Sequence, residues 1–169
     1  EKGIDLRLNT RALNGDPEKQ IIETAEGGDF SYDVLLVAAG SHSFVPPIQG
    51  AGKKGVFTLR SLQDARDIIA WSQKVDEVIL IGGGLLGLEA GNALRLRGKK
   101  VMVVEFFPRL LPRQLDEAGA QRLQNIMEGM GFSFRLGAKT QEITGENRVR
   151  GAALEDGTAL SAGMVLISA

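Results

Sequence analysis

A glycine-rich turn set between two short apolar runs constrains this chain more than any other feature. Val78 to Ile81 is an apolar run rich in β-branched residues, which suits a strand buried on both faces of a parallel sheet. It is followed at once by Gly82-Gly83-Gly84-Leu85-Leu86-Gly87, whose glycines at 82, 84 and 87 have Gly-x-Gly-x-x-Gly spacing. Leu85, Leu86, Leu88, Ala93, Leu94 and Leu96 then recur at helical spacing up to Gly98, which reads as the helix stop. Val101 to Val104 supplies a second buried strand. Strand, turn, helix and strand together make a βαβ unit, and that context separates a dinucleotide-binding turn from an accidental glycine cluster.

Each glycine has its own task in such a unit. Gly82 permits the sharp exit from the strand, Gly84 removes a Cβ from the path of a pyrophosphate, and Gly87 lets the helix pack close to the sheet. The free N–H groups and the positive end of the helix dipole would face the diphosphate. Glu105 lies 18 residues past Gly87, at the end of the second strand. A carboxylate there can accept hydrogen bonds from the adenosine ribose hydroxyls, and it repels a 2′-phosphate. The pattern therefore points to NAD(H) rather than NADP(H).

Composition narrows the remaining classes. The chain has 169 residues, 43% of them hydrophobic, a net charge of −1 and 5% aromatic content, which gives no support for nucleic-acid binding. The basic cluster Arg95, Arg97, Lys99 and Lys100 reads as the solvated end of a helix, where the dipole favours cations. There is no cysteine, hence no disulfide framework, thiolate metal site or redox-active cysteine pair within these residues. The longest apolar stretch, Val78 to Leu88, is too short to span a bilayer and is broken by glycines. With no signal peptide visible, a cytoplasmic location is expected.

The first 55 residues have a different texture. Ile4 to Leu8 alternates like a strand, Asn14-Gly15-Asp16-Pro17 marks a turn, Gln20 to Thr24 reads as a second strand, and Gly27-Gly28 is another turn. Tyr32 to Gly40 reads as a buried strand ending in small residues, with a Pro46-Pro47 exit and a linker over Gly50 to Gly55. Ser61 to Trp71 is an amphipathic helix with Ser61 as N-cap and Asp64 three residues on. Pro108 to Pro112 is a loop, Asp116 to Met130 a helix ended by Gly131, and Ser133 to Leu136 a third strand. Residues 139–161 alternate around two turns, an antiparallel pattern, and Met164 to Ile167 is a final buried strand. The expected class is α/β: a Rossmann-like parallel sheet with helices and an antiparallel hairpin or meander, preceded by a β-rich segment.

Taken together, Tyr32-Asp33, Leu36 to Gly40, Pro46-Pro47-Ile48, Leu59-Arg60-Ser61, Asp64-Ala65, Gly82 to Glu89, Val104-Glu105, Pro108 to Leu111, Leu115-Asp116 and Asp156-Gly157 resemble the flavin-dependent pyridine nucleotide–disulfide oxidoreductase family. The resemblance is strongest to members that include NADH oxidases, rubredoxin and ferredoxin reductases, and the flavoprotein part of NADH-dependent nitrite reductase. It implies that residues 1–55 are the C-terminal part of an incomplete FAD-binding domain and 56–169 an NAD(H)-binding domain. It also implies hydride transfer from NADH to FAD and on to an acceptor, with nothing catalytic in this segment alone.

By the same resemblance, Gly82, Gly83, Gly84, Leu85, Leu86 and Gly87 would surround the pyrophosphate and Glu105 would hold the adenosine ribose. Glu89 is similar to a family glutamate near the nicotinamide, and a carboxylate stabilising the helix N-terminus is the alternative. Arg113 is similar to a basic residue near the adenosine end, and a plain surface arginine is the alternative. Gly40 and Arg60 resemble contacts on the FAD side. His42, the sole histidine, has no cysteine or carboxylate at ligand spacing and is expected to be non-catalytic. The expected partners are NADH, the remainder of the FAD and C-terminal domains, and a second copy at the edge of residues 1–45, where apolar faces would be exposed. A stand-alone NAD(H)-binding regulatory module stays open as a second class. A methyltransferase fits less well, because of the glycine spacing and the antiparallel segment.

Overall fold

Alternation along three adjacent strands sets the layers of this molecule. The computed structural model describes residues 3–168. In β5 (Glu77–Ile81), β6 (Lys100–Glu105) and β11 (Met164–Ile167), successive side chains point to opposite faces of one sheet, and both faces are buried. Val78, Leu80, Val101, Val103, Met164 and Leu166 face one core. Ile79, Ile81, Val104, Val165 and Ile167 face the other. Full burial of such a side chain contributes about 1.5–3 kcal/mol relative to leaving it in water, so these strands dominate the stability of the fold.

The sheet has five strands, all parallel, in the order β4-β11-β5-β6-β7, where β4 is Val56–Thr58 and β7 is Ser133–Leu136. On the first face lie the helices. Those are α1 (Leu62–Ser72), α2 (Leu85–Arg95) and α3 (Glu117–Gly129), which contribute Ile68, Leu88, Leu94 and Met127 to the first core. The second face is covered by an antiparallel three-stranded sheet, β8 (Thr140–Thr144), β9 (Gly151–Leu154) and β10 (Ala159–Ser161), through Ile143, Ala152 and Leu154. The α/β reading with a parallel sheet and an antiparallel meander is borne out.

Helix starts follow their sequence signals. Ser61 caps α1 by accepting the Asp64 N–H at 3.1 Å, and the Asp64 carboxylate accepts the Ser61 N–H at 2.7 Å, a reciprocal capping box. Asp116 caps α3 by accepting the Gly119 N–H at 2.8 Å.

The chain divides into two compact units, Glu1–Ser41 and His42–Ala169. The first contains an antiparallel sheet of β1 (Ala12–Asp16), β2 (Ile21–Thr24) and β3 (Asp29–Ser31). Three expectations are corrected here. Ile4 to Leu8 forms no strand, and Ile4, Leu6 and Leu8 are exposed. Tyr32 to Ala39 is neither a strand nor buried, with Val34 at 88% and Leu36 at 86% exposure. Apolar alternation specifies a strand only where a neighbour completes the ladder, and among the described residues neither run has one. Asn14-Gly15-Asp16 lies inside β1, paired in regular register with Glu23, Ile22 and Ile21, and the turn comes after it at residues 17–20.

A fourth correction concerns the expected linker. Residues 50–55 are tied down, not free: Gln49 bridges Glu142 and Lys54 bridges Arg148, both in parallel register. The Lys53 ammonium also donates to the Ile143 carbonyl at 2.6 Å.

Candidate functional site

The chain runs from β5 through β6 to β7 in one direction across the sheet, and β11 then adds on the other side of β5. The carboxyl end of β5 is therefore a point where strand order reverses, the place where open parallel sheets form a ligand crevice. A cavity of about 540 Å³ lies there. Gly82 and Gly84, Glu105, Phe106, Phe107 and Arg113 are among the residues that line it.

The glycine turn has the local geometry its sequence requires. Gly82 sits at φ 105°, a left-handed conformation that side chains other than glycine's rarely adopt, and its N–H donates to the Val104 carbonyl at 2.9 Å. A Cβ on Gly84 would meet nothing within 4 Å, so the backbone there faces open space. A Cβ on Gly87 would come within 3.0 Å of the Ser168 side chain and 3.1 Å of the Gly82 carbonyl oxygen, so the helix approaches closely here, against the residue following β11. Gly84 is also the N-cap of α2, and no side chain caps that helix. The first N–H groups of a helix lack partners within it, so this end presents donors and positive dipole charge beside the cavity.

Glu105 closes the other side of the turn. It is 7% exposed. One carboxylate oxygen accepts the Gly83 N–H across the loop, and the other accepts the Phe107 N–H at 2.8 Å. A nearly buried carboxylate held by two backbone donors fixes the glycine loop to the end of β6 while still lining the cavity.

The other expected site residues are placed as follows. Gly83 packs inward: a Cβ there would lie 2.8 Å from the Leu110 side chain. Leu85 and Leu86 begin α2 with exposed side chains, and neither is among the cavity-lining residues. Glu89 is exposed within α2 and is not among the cavity-lining residues. Arg113 lines the cavity and is exposed, whereas Arg109 is half-buried and donates from Nη2 to the Pro112 carbonyl at 3.1 Å. Gly40 is exposed at the end of the first unit, with φ 75°. Arg60 lies just before α1, its N–H donating to Asp64 at 3.0 Å. His42 is exposed, and among the described residues no cluster of His, Asp or Glu is arranged to hold a metal ion. No helix among them is long and apolar enough to cross a membrane.

Sequence reasoning missed several parts of the wall. Pro46 to Ile48, Ala138 to Thr140 and Ser168 all line the cavity. They come from segments far apart in sequence. Ser168 alone carried a local signal, since it follows a buried strand as Gly82 follows Ile81. The Thr140 hydroxyl is buried and has no hydrogen-bond partner among the described residues. Leu111, also in the wall, has φ 47°, a rare backbone conformation for a buried leucine.

The chain matches known proteins along its whole length. A protein-family model described as pyridine nucleotide-disulphide oxidoreductase matches residues 1–169. A nitrite reductase [NAD(P)H] of Bacillus subtilis is 39% identical over 99% of this chain and 21% of its own length. An NADH oxidase of Methanocaldococcus jannaschii is 33% identical over 99% of this chain and 39% of its own length. Among solved structures, a ferredoxin reductase from Rhodopseudomonas palustris superposes with a TM-score of 0.88 at 28% identity, covering 94% of this chain and 40% of that one. The chain thus spans between about a fifth and two fifths of the length of these relatives. The glycine turn at the strand-order reversal and the full-length family match lead to one conclusion: the chain belongs to the pyridine nucleotide-disulphide oxidoreductase family.

Proposed function

We propose that residues 56–169 form the NAD(H)-binding domain of a flavoprotein oxidoreductase that passes hydride from NADH to FAD and on to an acceptor. Residues 1–55 are then the C-terminal part of an incomplete FAD-binding domain, of which residues 42–55 fall in the same compact unit as the NAD(H)-binding domain. One observation carries the reading: the open backbone at Gly84, the uncapped start of α2 and the Glu105 carboxylate meet at one cavity. That arrangement supplies donors for a diphosphate and an acceptor for ribose hydroxyls.

Within the reading, Gly82 shapes the turn, Gly84 admits the diphosphate, and the N–H groups of Leu85, Leu86 and Gly87 donate to it. Glu105 accepts from the ribose while continuing to hold the loop. Arg113, exposed at the cavity, faces the adenosine end, and Glu89 lies farther along α2 towards the nicotinamide. A bound nicotinamide nucleotide supplies hydride, and the chain's residues only bind and orient it. Gly40 and Arg60 would, by the resemblance, be contacts on the FAD side, and no step is assigned to them. The Bacillus subtilis relative's name admits both NADH and NADPH; buried Glu105 favours NADH for this chain.

The reading is tested by unfolding the 169-residue chain with and without NADH. Ligand at about 100 times its dissociation constant raises folded-state stability by about 2.7 kcal/mol. A rise in the unfolding midpoint that grows with the logarithm of NADH concentration above the dissociation constant is expected. No rise at any NADH concentration refutes the assignment.

A further inference from the structure

A second cavity, of about 590 Å³, lies at the opposite end of the parallel sheet. Glu77 and Lys100 are the first residues of β5 and β6, Gly163 immediately precedes β11, and all three line it. The five residues of β5, at about 3.3 Å each, put roughly 16 Å between this end and the glycine turn. Four cations and two acids surround the cavity: Lys74, Lys100, Arg148 and Arg150 against Asp76 and Glu77. Both acids are already engaged, Asp76 by Lys99 at 3.9 Å and Glu77 by Lys100 at 3.6 Å. That leaves Lys74, Arg148 and Arg150 without a carboxylate among the described residues. The two arginines are placed by their backbone. Val149 between them is buried, whereas both arginines are exposed, as alternation along an extended chain requires. The Val149 N–H donates to the Lys54 carbonyl at 2.9 Å, the Arg150 N–H donates to the Thr144 carbonyl at 2.9 Å, and the Arg150 carbonyl accepts the Ala162 N–H at 3.1 Å.

We propose that this second cavity binds a compact phosphate polyanion, a diphosphate or triphosphate group, through Arg148, Arg150 and Lys74. Its volume falls in the range of about 300–1,000 Å³ usual for small-molecule sites, which favours a small ligand over a protein surface. Guanidinium groups pair with phosphate oxygens through two parallel N–H···O bonds, and the ammonium adds a point charge. A terminal phosphate carries more than one unit of negative charge near neutral pH, so two or three linked phosphates match three unpaired cations within a small volume. Trp71, the sole tryptophan, lines the same cavity, with the Lys74 ammonium 5.8 Å from its ring centroid. An anion that draws Lys74 away changes the charge over the indole, so Trp71 reports on this site and not on the dinucleotide cavity, which it does not line. The site is independent of the NAD(H) reading.

Calorimetric titration of the 169-residue chain with tripolyphosphate, at about 0.15 M salt, tests this. The wild type should bind saturably, with a parallel change in Trp71 emission. The double variant Arg148→Gln/Arg150→Gln should lose about tenfold or more in affinity for tripolyphosphate, while its unfolding midpoint and its NADH titration match the wild type. Arg148→Lys/Arg150→Lys keeps both charges and should retain most of the affinity. Gly84→Ser, in the glycine turn at the other end of the sheet, should leave the tripolyphosphate response intact, which separates this site from any diphosphate bound there. No tripolyphosphate binding by the wild type overturns the proposal, as does binding without a change in Trp71 emission, or binding that survives in the glutamine variant or disappears in Gly84→Ser. Sulfate binding as tightly as tripolyphosphate would leave only an unspecific anion patch, and a polyglutamate peptide binding more tightly would assign the surface to an acidic protein partner; either result overturns the phosphate site. Loss of NADH binding alone would count against the NAD(H) reading and leave this proposal standing.

Discussion

Gly83 and Glu105 are joined across 22 positions by a hydrogen bond from the Gly83 N–H to the Glu105 carboxylate, which links the first strand–helix turn to the end of the second strand. The second carboxylate oxygen accepts the Phe107 N–H. One side chain thereby sets the shape of the loop and also presents negative charge to the cavity.

Loss of that carboxylate should destabilise the second unit. Glu105→Ala leaves two backbone N–H groups without their acceptor, at about 1–3 kcal/mol each. Urea unfolding should show a loss of roughly 2–4 kcal/mol, with Glu105→Gln intermediate because it keeps one acceptor oxygen. A midpoint equal to wild type would mean that the two hydrogen bonds do not hold the loop.

NADH should bind more tightly than NADPH. Two unit charges 4 Å apart at an effective dielectric near 20 interact by about 4 kcal/mol, an upper figure for Glu105 against a 2′-phosphate. Solvent and side-chain movement reduce this to roughly 1–3 kcal/mol, about 5- to 150-fold in affinity. Glu105→Ser should erase most of the preference, and Arg113→Ala should widen it, since Arg113 is a cation lining the cavity and the other, Lys139, is paired with Glu155. Arg109 is already engaged with the Pro112 carbonyl and should have little effect. Equal wild-type affinities for the two nucleotides would contradict this role.

Much of this was legible in the sequence because it is local. Strands β5, β6 and β11 are buried on both faces and read as apolar runs, and Ser61, Asp64 and Asp116 announce the helices they cap. The glycine turn and Glu105 are legible for the same reason. Elements that depend on distant partners are not. Strand β4 has only three residues, all half-buried, and its place in the sheet is set by β11, more than a hundred residues away. Tyr32 to Ala39 has the composition of a buried strand, but its burial would have to come from neighbours that the described residues do not supply. The cavity walls at Ile48 and Ala138 arise only when the antiparallel sheet closes on the parallel one.

The start of α1 should weaken in acid. The Asp64 carboxyl is held below its ordinary value of 3.8, chiefly by the Ser61 backbone N–H, then by the Ser61 hydroxyl and the Arg60 N–H, against a small opposing effect of burial. A lowered folded-state value means that the stabilisation is present above the unfolded value, about pH 4, and is lost as pH falls through the folded one. Carbon-detected NMR of the Asp64 carboxyl should give a midpoint below 3.8. Amide exchange in the first turn of α1 should rise in parallel. A midpoint at or above that value would contradict the capping-box account.

The most direct measurement of the central claim is NADH binding to the wild type and to Gly84→Ser. Gly84 has open space around it and caps α2 without a side chain. Serine there should fit without strain and occupy the same helix N–H groups that the account assigns to the diphosphate. By calorimetry, wild type should bind NADH saturably at one site. Gly84→Ser should bind at least tenfold more weakly while its unfolding midpoint stays level or rises slightly. Gly84→Ser binding NADH as tightly as the wild type would contradict the placement of the dinucleotide at this turn, and a wild type that shows no saturable binding would contradict the account as a whole.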